Sequence, residues 1–231
     1  MNKKNIIFAF LAFFSILCFS QNSEVQPEAL TIGEAINKMP VTATPFNATK
    51  SGSNARFTQS NTYGIYRYTA IPDKLYDNVQ LTQYTNADDP ELWGTTFRKF
   101  SILNSTNVLL VVSFGGATDW RTDVMCVVNP SGQILSTLEV VICVADIYVK
   151  QFRITAQNQI IVTSIKPTST TSIPFATLKN FYGYRQDIAY SINAQGQFIQ
   201  GSVQTYKSKT YTRSYLWDED INLWEGGETL Q

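Results

Sequence analysis

Apolar and polar positions recur with different periods along the chain. Residues 6–19 are apolar except for Ser15. Residues 21–56 are mainly polar and broken by Pro27, Pro40 and Pro45, yet Ile32, Ala35, Ile36 and Met39 recur at helical spacing. That spacing predicts a short helix that Pro27 can open, Gly33 weakens and Pro40 stops. Residues 41–56 are rich in Thr, Ser, Asn, Ala and Gly and read as a linker. From Phe57 onward Tyr, Thr, Val, Ile and Phe dominate short runs separated by turn residues. Tyr63, Ile65, Arg67 and Thr69 alternate with their neighbours, and 75–84 reads as a further strand after Pro72. This texture predicts strands, with no helix-length apolar period after the linker.

The strand-rich part repeats itself. Arg121, Asp123 and Val124 precede a turn of Asn129, Pro130, Ser131 and Gly132, followed by Gln133, Ile134 and Leu135. About 64 residues later Arg185, Asp187 and Ile188 precede Asn193, Ala194, Gln195 and Gly196, followed by Gln197, Phe198 and Ile199. An aromatic precedes each arginine, Trp120 and Tyr184. Asn-x-x-Gly between apolar runs is hairpin chemistry, because both residues tolerate the positive φ of tight turns. Upstream, Phe100 and Ile102 lead to the run 108–113, as Phe152 and Ile154 lead through Gln157 and Asn158 to 160–164. The expected fold is therefore all-β: an antiparallel meander sandwich or barrel built from two four-stranded repeat units, with a polar N-terminal arm. The units span about 97–145 and 148–206, in a β domain of 57–231 that follows an arm or linker at 21–56. Two such units are too few to close a propeller.

The start of the chain points to export. Lys3 and Lys4, a short apolar run and Ser20 have the form of a secretory signal peptide over residues 1–20, since a spanning helix needs roughly 20 apolar residues. Cleavage after Ser20 makes Gln21 the mature start. Lipidation at Cys18 fits less well, because Leu17 precedes it where a small residue is preferred. The expected location is periplasmic, cell-surface or extracellular, with no transmembrane segment in the mature chain. Charges balance at 18 basic and 18 acidic, and losing the two leader lysines leaves about −2. So even a balance gives no electrostatic claim on nucleic acid.

The chain has no histidine, which excludes Ser-His-Asp and Cys-His catalysis and removes the commonest nitrogen ligand for metals. After the leader only Cys126 and Cys143 remain, too few for a four-ligand zinc site. A hairpin turned at 129–132 sets Cys126 opposite about Leu135, so the two thiols are expected buried and unbonded. Arg121 with Asp123, and Arg185 with Asp187, share a strand face at i and i+2. They read as salt bridges at exposed strand starts, each contributing about 0–1 kcal/mol, or as the charged rim of a ligand site. Trp93, Trp120, Trp217 and Trp224 lie near turns, where they either cap the core or stack on sugars, Trp120 being the best placed. Asp218, Asp220 and Asn222 alternate like a calcium loop, but Leu223 and Thr229 stand where Gly and Glu are required, so a solvated acidic segment before a flexible tail is expected. No phosphate loop, nucleophile elbow or metal cluster is present, and no catalytic residue, metal or cofactor is assigned.

The connections before each Arg-x-Asp pair locate the expected binding surface. One covers 114–120 with Gly115 and Gly116; the other, 166–184, carries Phe175, Phe181, Tyr182 and Tyr184. Long loops in a compact domain are usually functional or disordered. Trp120, Arg121, Asp119, Tyr182, Tyr184 and Arg185 are thus the candidate binding residues, unless the aromatics turn inward over the core's open end. The function this implies is an exported, non-catalytic binding module for a glycan or protein partner. The alternatives are a glycosidase-like hydrolase using two of Asp88, Asp89, Glu91, Asp119, Asp123, Asp146 and Asp187, or a structural envelope protein.

Overall fold

A computed structural model describes residues 32–48, 97–116, 120–169, 179–218 and 220–231. The expected strands at 63–70 and 75–84 lie outside the described residues. Helix α1 (Ile32–Lys38) ends before Pro40 as its spacing predicts. The strands are β1 (Phe46–Asn47), β2 (Phe97–Ser101), β3 (Val108–Gly116), β4 (Trp120–Val128), β5 (Ile134–Val144), β6 (Ile147–Ile154), β7 (Ile160–Pro167), β8 (Asn180–Ile192), β9 (Phe198–Thr205) and β10 (Lys209–Thr212). A five-residue helix, α2 (Arg213–Trp217), follows.

Among the described residues the protein is all-β, with a ten-stranded antiparallel sheet that does not close on itself. Strands β2 to β8 lie side by side in chain order, and the long β8 carries β7 on one edge and β9 then β10 on the other. Such an order follows from tight hairpins. At Asn129, the backbone N–H donates to Gln133 O and Gly132 N–H donates back to Asn129 O, with Gly132 at φ 87°. The Asn129 Oδ1 also accepts from Ser131 and Gln133 N–H. Asn193 to Gln197 repeats each of these bonds, with Gly196 at φ 75°. Residues 155–159 make a third copy, with the Thr155 hydroxyl accepting in place of the Asn side chain and Asn158 (φ 59°) in place of Gly. This is a type I turn closed by a positive-φ bulge residue.

Cys126 pairs with Thr137 rather than with Leu135. The turn has three residues where a minimal hairpin has two, and a register shift between Val127 and Val128 adds one more. Both cysteines are buried free thiols.

The β2–β4 ladder is buried on both faces. Phe100, Leu109, Val111, Met125 and Val127 belong to the main core, in which Phe46 bridges Phe100 (5.2 Å between ring centres) and Phe152 (5.8 Å). Leu110, Val112, Val124, Cys126 and Val128 point to the other face and are equally buried. Ile36 of α1, and Met39 just after it, are buried as well. The buried Lys99 ammonium donates to Ile36 O (2.9 Å) and Asn37 O (3.2 Å), satisfying carbonyls at the helix end. Gly33 is required where α1 meets the 129–132 turn, since a Cβ there would collide with Pro130 O.

Within the expected linker, residues 41–48 are held by the sheet. Val41 bridges Lys99 at the β2 edge, Thr42 N–H donates to Lys99 O, and β1 pairs with β6. Backbone hydrogen bonds carry this pairing, which is why a composition of small polar residues does not reveal it.

Candidate functional site

Each Arg-x-Asp pair is a two-pronged fork. Arg121 Nε and Nη2 donate to the two Asp123 oxygens at 2.8 and 2.5 Å. Arg185 Nε and Nη2 donate to Asp187 at 2.9 and 2.5 Å. The strand ladders place the pairs alike: Ser113 faces Asp123, and Thr163 faces Asp187. Two positions before those partners, Val111 faces Arg98 and Ile161 faces Arg153. The expectation of exposed strand starts is corrected here: Asp123, Asp187 and Arg185 are 1%, 4% and 6% exposed. Such forks are charge-assisted and geometrically specific, so they are not loose surface pairs.

The second pair is sealed by the C-terminal segment. Arg185 Nη1 donates to Trp224 O (2.9 Å) and to Glu228 (3.3 Å). Glu228 also pairs with Lys209 at 2.9 Å and accepts from the Tyr211 hydroxyl. Arg153 donates to Thr163 and Asp187 (3.2 Å each) and lies 4.9 Å from the centre of the Trp224 ring. Gln151, fully buried, donates to Ala48 O and Asn222 and accepts from Leu223 N–H. Burial alone pushes the Asp187 carboxyl up, but Arg185, then Thr163 and Arg153, hold it below the ordinary carboxylate range. Burial opposes ionisation of Glu228 in the same way, and Lys209, a backbone N–H and Arg185 hold it low. The expected flexible tail is therefore corrected. Leu223 is wholly buried, and residues 229–231 pair back onto 205–207.

The predicted surface residues are distributed unevenly. Asp119 lies outside the described residues, and so does the side chain of Trp120, whose backbone opens β4 opposite Gly116 and Val144. Tyr182 is 57% exposed on β8, and Tyr184 on the same strand face is half-buried. Arg185 points to the opposite face, into the sealed network. Because four antiparallel steps separate β4 from β8, both strands start at one end of the sheet. The β5–β6 turn and α2 share that end, linked by Arg213 donating to Ala145 O at 3.1 Å. Trp217, on α2, is also 57% exposed there. Trp217 and Tyr182 are the exposed large aromatics among the described residues.

Comparison with protein-family models, curated proteins and solved structures finds no match. The chemistry must therefore be read from the residues. Burial pushes the Cys126 and Cys143 thiols up to about 12, so neither is a nucleophile at neutral pH. Among the described residues no group of three or more Cys, Asp or Glu side chains could hold a metal. No helix among them is long and apolar enough to cross a membrane. The residues sequence reasoning missed are Glu228, Gln151 and Arg98. Their partners are distant in sequence, and no shared spacing signals them, since Arg98 stands 23 residues before Arg121 and Arg153 stands 32 before Arg185.

Proposed function

We propose that this chain is an exported, non-catalytic binding module whose glycan or protein ligand rests on the sheet end where β4 and β8 begin. The observation that carries this reading is the presence of Tyr182 and Trp217, both 57% exposed, at that one end. Large aromatics left in water on rigid elements supply stacking surface at small entropic cost. Trp120, Asp119 and Tyr184 complete the proposed surface, with Arg121 and Arg185 supporting it from beneath. The hydrolase alternative is less well supported. Asp187 and Glu228 are held below the ordinary carboxylate range, whereas a glycosidase acid must keep its proton near neutral pH.

The two ladders are read as copies of one repeat, supported by the matched forks and turns. The curled sheet is read as barrel-like rather than a sandwich, supported by the 41–48 link from β2 to β6 and by Ser136 Oγ donating to Gly196 O at 2.5 Å.

A glycan array and a pull-down from native surroundings test the function, using wild type and the Tyr182→Ala/Trp217→Ala double variant. The expected result is a saturable ligand lost from the variant with its melting temperature unchanged. Turnover of an arrayed glycan, or ligand binding that survives both substitutions, contradicts it. Intact mass of native material beginning at Gln21 supports export, and a retained Met1 excludes cleavage.

A further inference from the structure

The two forks share their arginine–aspartate bonds and differ in the acceptors around them. In the second, Arg185 spends all five of its N–H donors: Nε and Nη2 on Asp187, Nη2 also on the Tyr206 hydroxyl, and Nη1 on Trp224 O and the Glu228 carboxylate. In the first, Arg121 makes the same fork to Asp123, but its Nη1 is buried without a hydrogen-bond partner. Arg98 sits at the ladder position that Arg153 holds in the second unit. Arg153 is engaged with Thr163 and Asp187, whereas Arg98 Nε is buried without a partner and its guanidinium lies 4.9 Å from the centre of the Phe46 ring.

Net charge does not separate the units, because each keeps one cation in excess; the difference lies in the acceptors. The second unit sets Arg153, Arg185 and Lys209 against Asp187 and Glu228. The first sets Arg98 and Arg121 against Asp123, and no second carboxylate answers them among the described residues. Burial, then the neighbouring charge of Arg121, lowers the proton affinity of Arg98, with Asp123 offsetting part of the loss. Buried donors without acceptors are rare in folded proteins and costly to keep, so two of them on adjacent arginines call for an acceptor.

We propose that Arg121 Nη1 and Arg98 Nε form a carboxylate-binding pair, in which a ligand carboxylate takes the part that Glu228 plays for Arg185. This deepens the binding-module reading and rests on it. The second unit identifies the chemistry: the same fork, when complete, takes a carboxylate oxygen on the third arginine nitrogen. A guanidinium matches that group in shape and charge.

The test is a titration of the wild-type chain with sodium acetate against sodium chloride at fixed ionic strength, following the arginine Nε–H signals by NMR. Arg98 is expected to shift saturably while Arg185, already supplied by Glu228, stays still. Arg121→Gln should weaken acetate by about tenfold or more, the scale of one charge-assisted hydrogen bond. As a readout independent of any variant, acetate but not chloride should raise the wild-type melting temperature. Glucuronate and N-acetylglutamate methylamide then distinguish a sugar carboxylate from an acidic side chain; tighter binding of either supports the pair and names its carrier. A flat response, or one that never saturates, overturns the proposal. If acetate fails while an uncharged glycan binds the array, this inference alone falls; if neither binds, the binding-module reading falls with it.

Discussion

The first and second units use the same strand ladder and close it from different sides. Around Arg121 and Asp123 the added element is α1, which covers the face opposite the fork and is held by Lys99. Around Arg185 and Asp187 it is the C-terminal segment, which lies on the fork itself and contributes Leu223, Trp224 and Glu228. One fork thus has every guanidinium nitrogen supplied within the described chain, and the other keeps a spare donor. An ion pair that repeats in a fold need not do the same work twice. What covers it decides whether it is cement or a contact point.

The sharpest way to break this contrast is to remove each arginine. Arg185→Ala removes the cation that Asp187 and Glu228 share, leaving Asp187 to Arg153 and Thr163 and Glu228 to Lys209, and should cost about 3–5 kcal/mol in urea unfolding. Arg121→Ala strands Asp123 but relieves its repulsion on Arg98, so it should cost clearly less. Equal losses would refute the asymmetry. The network also predicts an acid limb. Asp187 and Glu228 have folded pKa values below their unfolded ones, so their contribution is full above about pH 5 and is lost as pH falls through the folded values. Glu228→Gln should flatten that limb in urea midpoints measured across the acid range, and an unchanged slope would show that Glu228 does not shape it. Leu223→Ala, which hollows out the cover alone, should cost about 3 kcal/mol. Gly196→Ala, at φ 75° and with its new Cβ meeting Leu135 at 2.6 Å, should cost about 1–2 kcal/mol and reports on the contact between the units. Tyr182→Ala should stay within about 0.5 kcal/mol, because the ring is exposed; a larger loss would mean that it is part of the core.

Local chemistry was legible in the sequence. The 129–133 and 193–197 turns could be read because Gly takes a positive φ, whereas Asn, expected to do the same, instead accepts backbone N–H groups. Their third copy was disguised by Thr155 and Asn158, which do the same two jobs with other side chains. Spacing placed α1, and it placed Arg and Asp on one face. Burial of the forks was not legible, because the group that seals Arg185 stands 43 residues away in sequence. Nor was the Cys126 register, which a bulge displaced, or the pairing of 41–48, which backbone atoms alone achieve.

The position of Glu228 also bears on how the protein breathes. The β6–β7 and β8–β9 hairpins close over 155–159 and 193–197, while docking Glu228 on Arg185 closes a loop of 43 residues. Loop closure of that length is entropically dearer than a tight turn, so the C-terminal cover is a separable cooperative unit. In native-state hydrogen exchange the amides of 205–207 and 229–231, which depend on that cover, should open together and ahead of those in β7 and β8. Each such opening briefly gives Arg185 the vacant nitrogen that Arg121 carries at rest.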